Sequence, residues 1–302
     1  CVYRSENAGV MHACGHDAHA ACLLGAAKIL SENRDAFSGK VRLVFQPGEE
    51  IGKGAKPFVA AGVLEGAERV FGLHTAYDLE AGTVGLKPGI NNAAVDHFRI
   101  RVHGKSTHVS TPHLGVDALY IASQIVVAVQ GLVTRRTSPT EPVIIGIGKL
   151  NAGTTYNAVA AFAEMEGTTR TISQESRDRV RAQVSETAQS IAALYGGTAE
   201  VEWTDFAAAL VNDPQVCEEA ARVVDELLGA GHVVTDRELS LSGDNFAEFE
   251  LYKPGAYAYL GTGNPDLPHT MITNHNGGFD VDENALVTGA GLYVGYTVAR
   301  LG

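Results

Sequence analysis

The order of elements between residues 93 and 207 constrains the fold more than any other feature of the chain. From Asp96 to His103 the residues alternate, with Phe98, Ile100 and Val102 on one face and His97, Arg99, Arg101 and His103 on the other, as in a half-exposed strand. A polar loop over 104 to 114 leads to a long helix at about 116 to 135, then to strands at 142 to 150 and 158 to 171. An amphipathic helix at about 174 to 195 and a strand at 198 to 206 complete the stretch. The order β-α-β-β-α-β is that of a ferredoxin-like split unit, and it predicts a self-contained insertion.

On either side of that unit the plan is different. Leu23, Leu24, Ala27, Ile29 and Leu30 predict a buried helix over 17 to 30, with Asp17 placed to cap its start. The stretch "KVRLVFQPGEE" (40 to 50) predicts a short strand stopped by Gln46-Pro47-Gly48, so that Glu49 and Glu50 sit just past its carboxyl end. The stretch "RVFGLHTAYD" (69 to 78) predicts a second strand, with His74 following it. Asp213-Pro214 starts a further helix, and the pattern runs on to a final helix near 283 to 300. Strands alternating with helices predict an α/β sheet, whose ligands bind beyond the carboxyl ends of the strands. The expected organisation is a mixed-sheet catalytic domain in two segments, 1–92 and 208–302, interrupted by a ferredoxin-like lid and dimerisation domain at 93–207.

Composition narrows the function. A chain of 302 residues, 45% hydrophobic, buries a core large enough for two domains. A net charge of -12, from 23 basic and 35 acidic residues, argues against nucleic acid or an anionic membrane as partner and favours a small-molecule substrate. No uninterrupted apolar run approaches the ~18 residues of a membrane span, and no signal peptide is visible. Cys1, Cys14, Cys22 and Cys217 are sparse and irregularly spaced, which suits a reducing cytoplasm better than a disulfide framework.

The chemistry is concentrated in "MHACGHDAHAACLLGAAKIL" (11 to 30), where histidines, an aspartate and a cysteine crowd the start of a helix. The positive end of that helix favours the thiolate form of Cys14, which metal binding requires. Glu49 and Glu50 are adjacent carboxylates beside a buried sheet, costly there unless a cation compensates. With His16, His74 and His275, the last in "NHNGGFDVDE", they form a plausible ligand set for one or two divalent ions. An adjacent glutamate pair also permits a division of labour, one carboxylate binding metal and the other taking a proton from water. The local pattern leaves two other readings open. In one, Cys14 is the nucleophile of a thiol hydrolase with His16 or His74 as base. In the other, the metal is structural and the chain is a non-catalytic amino-acid-binding module, in which a free Glu49 would have no use.

Taken together and in order, "MHACGHDAHAACLLGAA", "VRLVFQPGEE", "GLHTAYDLEAGTVGLKPG", "VHGKSTHVSTPHLGVDAL", "GTTRT" and "GGFDVDENAL" resemble the metal-dependent amidohydrolases that cleave N-acyl amino acids. The branch is that of hippurate hydrolase and the indole-acetyl-amino-acid hydrolases, within the wider aminoacylase and carboxypeptidase-type metallopeptidases. The resemblance covers essentially the whole chain. It implies Cys14, His16, Glu50, His74 and His275 as ligands of two divalent ions, zinc or manganese first, cobalt or nickel as alternatives. It implies Glu49 as general base, and His108 as a residue that reaches the active site of the other subunit of a homodimer and stabilises the tetrahedral oxyanion. Asn157 and Arg170 match residues that hold substrate, although locally the first also reads as a turn residue and the second as a solvated strand residue. The expected reaction is hydrolysis of an N-acetyl, benzoyl, indole-acetyl or similar amide of an amino acid, with a dipeptidase or carboxypeptidase activity of the same clan as the alternative. His12, His19, His103 and His113 have no assigned role.

Three departures accompany the resemblance. Asn157-Ala158-Val159-Ala160 stands where the family often has Asn-Val-Ile-Pro, and Asp244-Asn245-Phe246 replaces an acidic-Asp-Phe motif, with amide for carboxylate. The family's upstream Arg-Ala-Asp-Met-Asp-Ala-Leu-Pro stretch has no counterpart, so the chain is expected to lack an internal strand and a carboxylate behind the metal site, and to be poorly soluble and nearly inactive as it stands.

Overall fold

The computed structural model describes residues 5 to 302, and Cys1 lies outside them. Helix α1 (His16–Glu32) buries Ala18, Cys22, Ala26 and Leu30, one residue every turn, which is the stripe its sequence spacing demands. Gly15, at φ 91°, is its N-cap. Asp17 therefore falls inside the first turn and makes no capping bond, contrary to the expected cap; its charge instead meets the positive end of the helix.

The expected strand at 40 to 46 is absent. Its alternation is that of a strand, yet none of its residues pairs in a ladder, and Val41, Leu43 and Phe45 remain 38, 37 and 45% exposed. A strand exists only through a neighbouring backbone, and among the described residues none lies alongside. After the short helix α2 (Ala55–Ala60) comes β1 (Val70–Glu80), which runs through His74. His74 thus sits within the strand rather than after it, because the parallel ladder from Val70 opposite Gly255 continues past His74 to Ala76 opposite Gly261.

The chain continues through β2 (Val84–Gly85), β3 (Gly89–Asn92), β4 (Ala94–His103), α3 (Ala118–Arg135), β5 (Ile144–Ala152) and β6 (Phe162–Thr171). Next come α4 (Gln174–Leu194), β7 (Thr198–Ala207), β8 (Leu210–Asn212), α5 (Pro214–Leu228) and β9 (Val233–Val234). The last elements are α6 (Ala247–Glu250), β10 (Gly255–Gly263) and α7 (Ala285–Leu301). Asp213 caps α5 by accepting from the backbone N–H groups of Gln215 and Val216, as Asp-Pro predicts.

Three sheets result. The first is mixed, in the order β1-β10-β2-β9, with β1 parallel to β10 and β2 antiparallel to it. Helices α1, α5 and α7 pack on it through Cys22, Val223 and Leu292 against Leu73, Ala258 and Leu260. A two-stranded sheet, β3 with β8, lies where the chain leaves and re-enters this region. The third sheet is antiparallel throughout, in the order β5-β6-β4-β7. Its inner face, with Phe98, Ile100 and Met165, shares one core with Ile121 and Ile125 of α3 and Val180 and Val184 of α4. Its outer face is a charge ladder in which Arg101 meets Glu202 at 2.7 Å and Glu164 at 3.1 Å.

Helix α3 corrects one expectation about apolar length. Its 18 residues, of mean hydropathy 1.3, would suffice to cross a membrane. Here Ile121, Ala122, Ile125 and Val129 are fully buried against the sheet, so its apolar character is that of a core helix.

Asp96 on β4 and Arg177 on α4 form a two-pronged ion pair, Nε to Oδ2 at 2.9 Å and Nη2 to Oδ1 at 2.6 Å, with only 1 and 5% of the side chains exposed. Asp205 on β7 continues the network to Arg181 at 2.7 Å and to Lys56 on α2 at 3.3 Å. The network therefore ties the antiparallel sheet to the region carrying the mixed one. Removing one partner of a buried pair leaves the other charge without compensation, a loss of about 3 to 5 kcal/mol. Asp96→Ala should therefore lower stability by about that much in chemical denaturation. A loss below about 1 kcal/mol would mean that water already solvates the pair.

Candidate metal centre

Four stretches of chain converge beside the first sheet: the turn before α1, the 3-10 turn Glu49–Ile51, the middle of β1, and the loop before α7. The turn before α1 depends on Gly15. Its φ of 91° is left-handed, and a Cβ there would lie 2.3 Å from Thr75 Oγ1. Only glycine allows both the turn and the approach to β1. Thr75 Oγ1 donates to the Cys14 carbonyl at 3.2 Å and holds that turn against the strand. On the far side His275 adopts φ 61°, an uncommon conformation for a residue with a side chain, and its Nε2 lies 3.1 Å from Glu50 Oε1.

The donor atoms form three overlapping triads, each with its atoms within 4.8 Å of one another: Cys14-His16-His74, Cys14-Glu50-His275 and His16-Glu49-Glu50. All five expected ligands and the expected base are thus brought together. Cys14, His16 and Glu50 each belong to two triads, so the donors form one continuous cluster rather than separate sites. The donor set fits such ions: one thiol, three imidazoles and a carboxylate at the mouth, with a second carboxylate alongside.

Local bonds prepare each donor. His74 Nδ1 donates to the Thr75 carbonyl at 2.7 Å, so its Nε2 lone pair points outward, 3.4 Å from Cys14 Sγ. Burial holds the His74 imidazole below its usual pKa, in the neutral form a ligand needs. Burial pushes the Cys14 thiol up to about 12, although Asn274 Nδ2, 3.3 Å away, favours the thiolate. Glu49 is pushed up to about 8, first by burial and then by the negative charges of Asp244 and Glu50. Without a cation, burial thus favours the protonated forms of Cys14 and Glu49. Bound cations reverse both shifts by supplying the missing positive charge.

The other expected site residues lie elsewhere. His108 and Asn157 share one loop tip, with Val109 N–H donating to the Asn157 carbonyl at 3.2 Å and a β-bridge joining His108 to Ala158. His108 is exposed, and its Nδ1 accepts the Ser110 backbone N–H at 3.2 Å. Arg170, on β6, donates through Nε to the Leu241 carbonyl at 2.9 Å, in the loop leading to Asp244. No bond joins these three to the Cys14 cluster among the described residues.

Three contributors had no expected role. His19, one helical turn beyond His16, accepts the Thr75 N–H at 3.0 Å and packs 4.4 Å from the His74 ring. Asn274 reaches Cys14 from beside His275. Asp244, 6% exposed, takes the Tyr257 hydroxyl at 2.6 Å and the Phe246 N–H at 2.8 Å. The spacing of His19 from His16 places the two on one helix face and could have marked the first. Asp244 lies some two hundred residues from Glu49 in sequence; the Asp244-Asn245-Phe246 stretch is marked only through the family motif it replaces, with no role given to Asp244 itself.

Comparison with known proteins places this geometry in a family. The family model described as Peptidase family M20/M25/M40 matches residues 2–298. The chain is 40% identical over 285 residues to N-acetyl-L-cysteine deacetylase of Bacillus subtilis, covering 94% of this chain and 66% of that one. It is 38% identical over 291 residues to thermostable carboxypeptidase 1 of Saccharolobus solfataricus, covering 95% of this chain and 73% of that one. Among solved structures, the Bacillus subtilis YXEP protein, described as a dinuclear metal binding peptidase from the M20 family, superposes with a TM-score of 0.84 at 33% identity, covering 100% of this chain and 76% of that one. The chain thus spans about two thirds to three quarters of the length of these relatives. A mixed α/β fold, a cluster of donors suited to two ions and a match over nearly the whole chain establish that it belongs to the M20/M25/M40 peptidases, a family of metal-dependent amidohydrolases and peptidases.

Proposed function

We propose that the chain hydrolyses the amide bond of N-acyl amino acids, with Cys14, His16, Glu50, His74 and His275 holding two divalent ions and Glu49 as general base. The observation that carries this reading is the pairing of Glu49 and Glu50. Both lie within reach of His16 Nε2, at 3.8 Å, but only Glu50 also joins the triad with Cys14 and His275. A purely structural site would have no use for the spare carboxylate. A chelator separates this reading from a thiol hydrolase with Cys14 as nucleophile, since a thiol enzyme survives metal removal but dies on alkylation.

Two ions, when bound, supply Lewis acidity that polarises the amide carbonyl and acidifies water. The rest falls to side chains. Glu49 takes the proton of the attacking water and returns it to the departing amine. The unit at 93–207, read as a ferredoxin-like lid that also pairs two copies of the chain, presents His108 to the partner's site. With Nδ1 accepting from Ser110, the tautomer leaves an Nε2–H free to donate to the oxyanion. Asn157 on the same tip and Arg170 on β6 hold the amino-acid portion. The thiol ligand favours zinc, and the carboxylate and imidazoles also accept manganese, cobalt or nickel. Cys14, Cys22 and Cys217 are free thiols, which suits a cytoplasmic setting.

The resemblance to N-acetyl-L-cysteine deacetylase favours small acyl groups, and that to a carboxypeptidase makes short peptides the natural comparison. In a panel of N-acetyl, benzoyl and indole-acetyl amino acids beside dipeptides, an N-acyl amino acid should be turned over fastest, and a chelator should abolish the activity. Preference for the dipeptides would transfer the assignment to peptidase.

Glu49→Gln should keep both ions and lose about 10²- to 10⁴-fold in kcat. Glu50→Gln should lose metal as well. Near-normal turnover of fully loaded Glu49→Gln would exclude it as base. His108→Ala and Glu49→Gln, each nearly inactive alone, should recover activity when mixed under subunit exchange, since one hybrid site carries both intact residues. Exchange without recovery, or a monomeric protein, would rule out action across subunits.

A further inference from the structure

The chain passes between the mixed-sheet region and the antiparallel sheet twice, at 92–94 on the way in and at 207–210 on the way out. Both crossings are rich in alanine, and Ala93, Ala94, Ala207 and Ala208 are all buried. Where a strand leaves its sheet, its backbone N–H groups lose the ladder partner, and a buried N–H must find another acceptor.

One segment, 240–250, meets both crossings. On the way in, Ser240 N–H donates to the Asn91 carbonyl at 2.9 Å, and the Ser240 carbonyl accepts the Ala93 N–H at 3.0 Å. On the way out, Glu248 Oε1 accepts the Ala208 N–H at 3.1 Å and Glu250 Oε2 accepts the Val211 N–H at 2.9 Å. Glu248 is buried, and its carboxylate lies 3.8 Å from Lys56 Nζ. Between these contacts Gly243 is wedged against β4 and β7 together, since a Cβ there would lie 2.5 Å from Val95 Cγ2 and 3.5 Å from Ala207 Cβ. The Leu241 carbonyl adds a bond to Arg170 of β6.

The same segment carries Asp244, directly after Gly243, anchored by the Tyr257 hydroxyl and placed where its charge acts on Glu49. Two independent loops would let each crossing turn by itself. Here a rotation at either crossing must break a bond to 240–250 or carry that segment along, and Asp244 with it. The acceptors on the outgoing crossing are carboxylates, whose hydrogen bonds to N–H groups are stronger than those of neutral acceptors. Element-terminal residues of this kind are the ones that absorb backbone rotation when two units move.

We propose that segment 240–250 is a clasp that couples the placement of the antiparallel sheet to the carboxyl corner around Glu49, with Glu248 and Glu250 as positioning residues on the outgoing crossing and Gly243 wedged between the two. The consequence for catalysis rests on the reading of Glu49 as base. The clasp itself does not, and it is tested without turnover.

The test compares the full chain with Glu248→Ala, Glu248→Gln and Gly243→Ala by hydrogen exchange read by mass spectrometry, with residues 121–129 of the buried helix α3 as internal reference. In Glu248→Ala, exchange should speed about tenfold or more at 207–211, at 91–95 and at 244–246, although Glu248 touches only the first of these stretches, and should stay unchanged at 121–129. Glu248→Gln keeps a carbonyl oxygen for the Ala208 N–H and should stay within about twofold of the parent chain. Gly243→Ala leaves both glutamates in place but forces the segment off Val95, and should speed the same three stretches. Acceleration confined to 207–211 overturns the proposal, because the bond would then be local. Equal acceleration at 121–129 overturns it as well, since that reports a weakened fold, and so does a Glu248→Gln that behaves like Glu248→Ala. Should Glu248→Ala fail to fold, unchanged exchange at 91–95 and 207–211 in Gly243→Ala overturns the proposal by itself.

Discussion

Three carboxyl groups, Glu49, Glu50 and Asp244, are held close together in a corner partly shut off from water, and the rest of the site is arranged around that crowding. Burial and mutual repulsion push the Glu49 carboxyl up to about 8. Among the described residues no arginine or lysine is paired with Glu49 or Glu50, which meet the imidazoles of His16 and His275. A fold that tolerates such a cluster spends stability on it, and compensation by divalent cations accounts for why it does so. The same requirement explains the neutral, outward-facing His74 Nε2 and the Asn274 amide aimed at Cys14, both of which favour the state in which the cluster is filled.

The scaffold holds these groups by backbone devices more than by side-chain packing. Gly15 lets the Cys14 turn press against Thr75, and His275 accepts a left-handed conformation while its side chain meets Glu50. A buried ion-pair network joins the antiparallel sheet, which carries His108 and Asn157, to α2, the helix that follows Glu50 after a short turn. Movement of the antiparallel sheet against α2 must therefore work against the ion pairs of Asp96, Arg177 and Asp205.

Much of this was legible in the sequence wherever the signal is local. Strict alternation from Asp96 to His103 marked β4, and Asp213-Pro214 marked the start of α5. Cys14, Gly15 and His16 before an apolar helix, with adjacent glutamates after an apolar run, marked the donor cluster. What escaped depends on neighbours across space. Val41 to Phe45 has the pattern of a strand, but pairing is decided by a partner backbone the pattern cannot supply. His74 lies inside β1 because β10 pairs with the strand from Val70 through Ala76, which local breaker residues do not reveal. The contact of Asp244 with Tyr257 and the Asp96–Arg177 pair, the latter 81 residues apart, become visible only once the chain has folded.

The proposal on which everything rests is that the cluster around Cys14 would hold two neighbouring ions, with Cys14 as a thiolate ligand. Cobalt(II) reports on it directly, because a cysteine thiolate ligand gives a near-ultraviolet charge-transfer band and two ions sharing ligands couple magnetically. The account predicts two cobalt ions per chain, a thiolate band that disappears in Cys14→Ser, and an electron paramagnetic resonance signal far weaker than that of two isolated ions. One ion per chain, or a band that survives in Cys14→Ser, would contradict it.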